Sequence, residues 1–126
     1  MKATQTIFDK IISRAIPSTV IYEDNLCMAF KDISPVAKFH VLLIPKEKDG
    51  MDRFYNIEEK NKDILGHLMV IASKIAKEND LGKGCRIVIN DGEFGGQTVD
   101  HLHLHIIGGQ QLFWPPGTGK QEEIKQ

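Results

Sequence analysis

Three of the five histidines in this 126-residue chain stand at alternate positions: His101, His103 and His105, separated by Leu102 and Leu104 and followed by Ile106. A period of two is that of a half-buried β-strand, so the imidazoles leave one face while the apolar side chains leave the other. At a rise of about 3.3 Å per residue, neighbouring imidazoles begin roughly 6.6 Å apart, close enough to work on one small ligand. Just upstream, Asn90-Asp91-Gly92 and Gly95-Gly96-Gln97-Thr98 read as a turn-forming loop. A lone histidine is most often a surface or satisfied core residue. Three on one strand face must be solvated or employed, and they point to a site.

Two chemistries fit imidazoles so arranged. Two histidines at i, i+2 can chelate a transition metal, but a catalytic zinc site also wants a third ligand and a base for the bound water. His40 and Asp100 are the obvious helpers, and the chain has no cysteine cluster and no H-E-x-x-H. Spacing alone leaves metal open. The alternative is phosphoryl transfer with histidine as nucleophile, in which an imidazole nitrogen attacks phosphorus and splits one hard displacement into two easier ones. A second imidazole can then hold phosphate oxygens and a third can manage the leaving group's proton. Backbone N–H groups of the glycine loop and the Thr98 hydroxyl would serve the same oxygens, glycine letting the backbone approach the anion. This reading uses loop and strand together; the metal reading uses the strand alone.

The elements that must hold this face follow from patterning. Thr6 to Ala15 reads as a short helix with Ile7, Phe8, Ile11 and Ile12 on one face, Thr6 and Asp9 as a capping pair and Pro17 beyond its end. Thr19 to Glu23 and Leu26 to Lys31 are strand-like around an Asp24-Asn25 turn. Phe39 to Pro45 is apolar nearly throughout, as a central strand would be. Lys46 to Tyr55 reads as an exposed loop. A long helix then runs from about Ile57 to Asn79, with Asn56 and Glu59 as its capping box, Gly82 as its stop, and an apolar stripe of Ile64, Leu65, Leu68, Met69, Ile71, Ala72, Ile75 and Ala76. Cys85 to Asn90 and Val99 to Ile107 complete five strands. The order predicts an α+β fold, an antiparallel five-stranded sheet with one long and one short helix, the long helix covering one face.

Size and composition suit one globular domain: 41% apolar, 26% charged, with a formal net charge of −1. That charge gives no bulk electrostatic support for nucleic-acid or membrane binding, and charges break every apolar run short of a spanning helix. Cys27 and Cys85 lie in apolar strand-like runs and read as reduced core residues of an intracellular protein. Residues 118–126 are polar and read as a loosely held tail.

His101-Leu102-His103-Leu104-His105-Ile106-Ile107 resembles the signature of the histidine triad family. The likeness extends over TIFDKII (Thr6 to Ile12), FKDISP (Phe30 to Pro35), FHVLLIPK (Phe39 to Lys46), LGHLM (Leu65 to Met69), VINDG (Val88 to Gly92), GGQTV (Gly95 to Val99) and WPPG (Trp114 to Gly117), and its C-terminal WPPG is similar to the Hint branch. It spans about residues 6 to 117 and implies a single domain, residues 1 to 126.

The resemblance implies a purine nucleotide-binding phosphoramidase that cleaves the P–N bond of adenosine or guanosine 5′-phosphoramidates and aminoacyl-adenylate-like compounds, releasing the nucleoside monophosphate. His103 would form the covalent nucleotidyl adduct, with His40 and His101 orienting it and His105 binding the α-phosphate and helping with the leaving group. Asp32 would hold the ribose hydroxyls. Ile33, with Ile7, Phe8, Ile11 and Phe30, would sandwich the base, although Ile11 and Phe30 could equally be core and Asp32 a turn residue. Asn90 would lie near ribose and phosphate, and Gly96, Gln97 and Thr98 would line the α-phosphate.

No metal or other cofactor is needed in that scheme. It further implies a homodimer in which Trp114 shapes the partner's leaving-group pocket, and a cytoplasmic protein, with the nucleus as a further compartment. Neither nucleic acid nor membrane is expected as a partner. Thr98 stands where the family pattern has serine, Asp100 where an aromatic is common, and Lys31 where a histidine often precedes the acid; these departures bear on substrate preference. A nucleotide-binding adaptor that works through protein partners and a metal-dependent hydrolase are the competing readings.

Overall fold

The computed structural model describes residues 5–117; the polar tail, residues 118–126, lies outside them. Helix α1 (Ile7–Ile12) starts at the expected capping box, Thr6 accepting from the Phe8 N–H while the Asp9 carboxylate accepts from the Thr6 N–H. It ends at Ser13, earlier than the expected Ala15, because Arg14 enters the left-handed region at φ 68°.

Strands β1 (Val20–Glu23) and β2 (Cys27–Lys31) are joined by Asp24 to Leu26, whose turn is held by Asp24 Oδ1 accepting from the N–H groups of Leu26 and Cys27. The central strand is β3 (Phe39–Pro45), as its unbroken apolar run requires. β4 (Cys85–Val88) and β5 (Leu104–Gly108) complete an antiparallel sheet in the order β1-β2-β3-β5-β4.

The long helix starts later than expected. Two 3-10 turns, Phe54–Asn56 and Glu59–Asn61, precede α2 (Lys62–Glu78). The capping box sits on the second 3-10 turn, formed by Glu58 and the buried Asn61, whose amide also reaches back to Asp49; Asn56 and Glu59 do not form it. The helix stops at Asp80, at φ 59°, and the Leu81 N–H returns to the Ala76 carbonyl, so Gly82 is not the cap.

Two cores sandwich the sheet. Leu68, Ile71, Ala72 and Ile75 of α2 pack on Cys27, Ala29, Val41, Leu43, Leu102, Leu104 and Ile106. On the other face Phe8 and Ile11 of α1 pack on Met28, Phe30, Leu42 and Ile44. Met69 of the expected stripe is half exposed, and Cys85, at the start of an edge strand, is exposed rather than core. No helix among the described residues is long and apolar enough to cross a membrane.

Candidate functional site

The histidines lie on the α1 side of the sheet, while Leu102, Leu104 and Ile106 join the α2 core, so the alternation holds. The strand itself is shorter than the alternation suggested. Pairing with β3 ends at Leu43↔Leu104, and two residues further the facing partner would be Pro45, which has no N–H to give. His101 to His103 therefore run outside the ladder. The Leu102 N–H donates to the Met51 carbonyl, and the His101 ring takes the Pro45 carbonyl that a strand partner would have used.

Hydrogen bonds fix how each ring presents itself. The Nδ1 of His103 is 2.7 Å from the carbonyl of His101; a carbonyl only accepts, so Nδ1 carries the proton and Nε2 is left with a bare lone pair. His101 Nε2 likewise donates to the Pro45 carbonyl at 2.7 Å, and its buried Nδ1 has no hydrogen-bond partner among the described residues, with Asp9 Oδ1 3.9 Å away. His40 Nδ1 accepts from the Val36 N–H at 3.1 Å, so its Nε2–H faces outward to His105 Nδ1 at 2.9 Å and Asp32 Oδ2 at 3.4 Å. His105 accepts at Nδ1 and so holds its own proton on Nε2. The amide of Asn90 lies 3.4 Å from that atom and meets it with its oxygen once the network is oriented this way.

One bare nitrogen, on His103, thus stands beside one N–H, on His105, with ring centroids 5.2 Å apart. The Phe8 and His103 rings pack in a T-shape, their centroids 5.0 Å apart and their planes at 86°. Burial pushes His40, His101 and His103 below the ordinary imidazole value, and His105 falls to about 4, through burial first and then the neighbouring rings of His103 and His40. All four are therefore neutral at neutral pH, the state a nucleophilic imidazole needs.

The remaining expected residues divide. Asp32 does act as a turn residue, its Oδ1 accepting from the Ser34 N–H, while Oδ2 faces His40. Ile33 is 95% exposed beside it, free to cover a planar ligand, and Ile7 is half exposed; Phe8, Ile11 and Phe30 are core. Gly96 takes φ 80° and Thr98 is exposed, but the Gln97 side chain is spent on the protein. Its Oε1 accepts from Gly92 N–H, and its Nε2 donates to the carbonyls of Asp52 and Val99. Its backbone N–H is spent too, on the Gly92 carbonyl at 3.0 Å, and the Gly96 N–H goes to the Glu93 carbonyl at 3.1 Å, so these two residues shape the loop that presents Thr98. Trp114 is exposed, outside both cores.

Sequence reasoning missed Arg53. It grips Asp91 of the glycine loop through two parallel bonds, Nε to Oδ1 at 3.0 Å and a terminal nitrogen to Oδ2 at 2.9 Å, while Tyr55 N–H adds a third. The loop read as exposed is thus a clamp on the loop before the histidines, and Met51 within it is fully buried. An acid at position 91 next to a conformationally free glycine was the available signal; its partner, 38 residues away, had none.

Asp32, His40 and His105 offer donor atoms within 4.8 Å of one another and could hold a metal ion, although in the structure they bond to each other.

A HIT domain model matches residues 13–112. The chain belongs to the HIT domain family. This HIT domain is 54% identical over 112 residues to the adenylylsulfatase HINT1 of Arabidopsis thaliana, covering 89% of this chain and 76% of that protein. It is equally 54% identical to a 14 kDa zinc-binding protein of Brassica juncea, covering 89% of this chain and 99% of that one. Among solved structures, a HIT family hydrolase from Legionella pneumophila superposes with a TM-score of 0.85 at 38% identity, covering 90% of this chain and all of that one. The histidine triad nucleotide-binding protein from Candida albicans superposes at 0.73 with 30% identity, covering 96% and 90%. The HIT domain described here shares their five-stranded antiparallel sheet with one long and one short helix.

Proposed function

We propose that this HIT domain is a nucleotide hydrolase that cleaves the P–N bond of adenosine and guanosine 5′-phosphoramidates. The observation that carries the reading is the tautomer of His103: its Nδ1–H is committed to the His101 carbonyl, so Nε2 is an unprotonated nucleophile. In this scheme Nε2 attacks the α-phosphorus, the P–N bond breaks, and the nitrogen leaves with its electron pair. One proton, drawn from the medium through His105, completes the amine. Water then cleaves the nucleotidyl–His103 bond and releases the nucleoside monophosphate. His40 holds His105 by the 2.9 Å bond rather than touching His103, while His101 orients His103 through its carbonyl. Asn90 and Thr98 line the phosphate, Gly96 and Gln97 hold the turn that presents Thr98, Asp32 takes the ribose hydroxyls, and Ile33 covers the base.

The relative named an adenylylsulfatase supports a nucleotide hydrolase in general. Its leaving group is a sulfate, which would need no proton, so the same nucleophile could serve either bond and the proton donor decides between them. The decisive experiment is turnover of adenosine 5′-phosphoramidate and adenylyl sulfate in EDTA, wild type against His103→Ala. Wild-type turnover of the phosphoramidate in chelator, abolished in His103→Ala, is expected. No turnover at saturating substrate overturns the hydrolase reading in favour of a binding adaptor, loss on chelation favours a metal-dependent enzyme, and an active His103→Ala removes the assigned nucleophile.

A homodimer belongs to the same proposal. Edge strand β4 leaves Ile87 partly exposed, and Met69 and Val70 of α2 are also exposed, a surface a second copy could cover, with Trp114 then reaching toward the partner's site. The cytoplasm, or the nucleus as well, is the compartment that this substrate class implies.

A further inference from the structure

The sheet's other face carries a second group of chemically competent side chains that nucleotide hydrolysis does not use. Asp24 sits in the β1–β2 turn, Cys27 opens β2 and His67 lies on α2, and one donor atom from each falls within 4.8 Å of the other two. Cys27 belongs to the core under α2, whereas the histidine site lies on the α1 side. We propose that Asp24, Cys27 and His67 form a binding site for one zinc-type divalent cation, separate from the nucleotide site.

The donor set selects the ion. Thiolate, imidazole and carboxylate together suit zinc, whereas magnesium and calcium take oxygen ligands alone. With metal–ligand bonds of about 2.0–2.3 Å, tetrahedral donors lie roughly 3.3–3.7 Å apart. The present spacing lies close to that range. His67 Nε2 and Asp24 Oδ2, at 2.7 Å, must open by under an ångström, and the two separations to the Cys27 sulfur, neither above 4.8 Å, need close by at most little more than one.

Protons now occupy the donors. His67 shares one with Asp24 Oδ2, and the neighbouring Cys27 keeps its own, burial first and then the Asp24 carboxylate raising the thiol to about 12. A cation placed among the three takes the place of both protons: the metal–sulfur bond forms as the S–H bond breaks, and the thiol proton leaves to the medium. Asp24 Oδ1 stays with the N–H groups of Leu26 and Cys27, so the turn that presents the ligands is already built without the ion. Cys27 is fully buried, but the side chains of Asp24 and His67 are 26% and 30% exposed, which gives the ion an entry path and leaves a fourth position for water.

The test is titration of the purified, metal-free full chain with Co(II), followed by competition with Zn(II). One equivalent per chain is expected, with a thiolate-to-cobalt charge-transfer band, visible bands of tetrahedral intensity, and displacement of both by zinc. Cys27→Ser must abolish the charge-transfer band. His67→Asn, at a partly exposed position on α2, must weaken binding at least tenfold. Cys85→Ser, His40→Asn and His105→Asn must leave the band in place. Absence of the band in wild type, its survival in Cys27→Ser, or its loss in His40→Asn or His105→Asn overturns the proposal. The readout is spectroscopic, so failure here leaves the phosphoramidate reading untouched, and the reverse holds as well.

Discussion

The histidine cluster should make this fold acid-labile in a window where its carboxylates are silent. His105 drops from an ordinary 6.5 to about 4, and His40, His101 and His103 are lowered too, all chiefly by burial. A depressed folded-state value means that the unfolded chain takes up the proton first as pH falls. The contribution is whole above pH 6.5 and is lost progressively from 6.5 down to about 4 for His105. The full shift corresponds to at most about 3 kcal/mol, and the step from pH 7 to pH 5 costs about 2 kcal/mol from this one residue. Glu23, Asp24 and Asp91, held low by their partners, work in the opposite range: their stabilisation is lost only as pH falls below the ordinary carboxylate values of 4.5 and 3.8. Among the described residues, the four clustered histidines carry the dependence between pH 5 and 7. Urea unfolding should show a midpoint about 1 M lower at pH 5 than at pH 7, given a slope of roughly 1–3 kcal/mol/M. His105→Asn, which cannot titrate, should flatten that dependence. A midpoint that holds or rises toward pH 5, or an unchanged slope in His105→Asn, would refute the reasoning.

Catalysis should follow the same chemistry: the acid limb of kcat/KM for an adenosine phosphoramidate should have its midpoint below pH 6.5, and a midpoint above 7 would contradict a buried neutral His103. Replacing Arg53 with Met should cost under about 1 kcal/mol of stability, because the pair is half exposed. The same change should still lower kcat/KM by releasing Asp91, and equal activity in Arg53→Met would show the clamp to be idle. Gly95→Ala places a Cβ 2.3 Å from the Asp91 carbonyl oxygen, so the loop must shift; an activity loss with a destabilisation of about 1–3 kcal/mol is expected by thermal melting. Leu43→Ala, in the middle of the central strand and fully buried, should cost about 2–5 kcal/mol by denaturant unfolding.

Patterns that depend on neighbours in sequence were readable. β3 came out at its expected bounds because an apolar run with no polar alternation can only be buried on both faces. The α1 cap was legible because Thr6 and Asp9 are three residues apart. What failed depended on distant partners. The missing N–H of Pro45 ended a strand 59 residues later, and the capping box fell to Glu58 and Asn61, two residues beyond Asn56 and Glu59, where the Asn61 amide also bonds Asp49. The same holds in the site. Side-chain alternation put the histidines on one face. It could not say that His40 would hold His105 rather than His103, or that Gln97 would spend its amide on Asp52, Gly92 and Val99.

The acceptor that sets the His103 tautomer is a main-chain carbonyl, and a carbonyl persists whatever side chain position 101 carries. Substitution can change the nucleophile's orientation only by moving the backbone, for which the anchor is the His101 ring on Pro45 and the Leu102 N–H on Met51. Mutational drift at position 101 should therefore be graded rather than all-or-none: a replacement that keeps the chain path keeps the lone pair. The chemistry is insured by the covalent backbone, and the variable part of the sequence is left to tune how firmly that backbone is held.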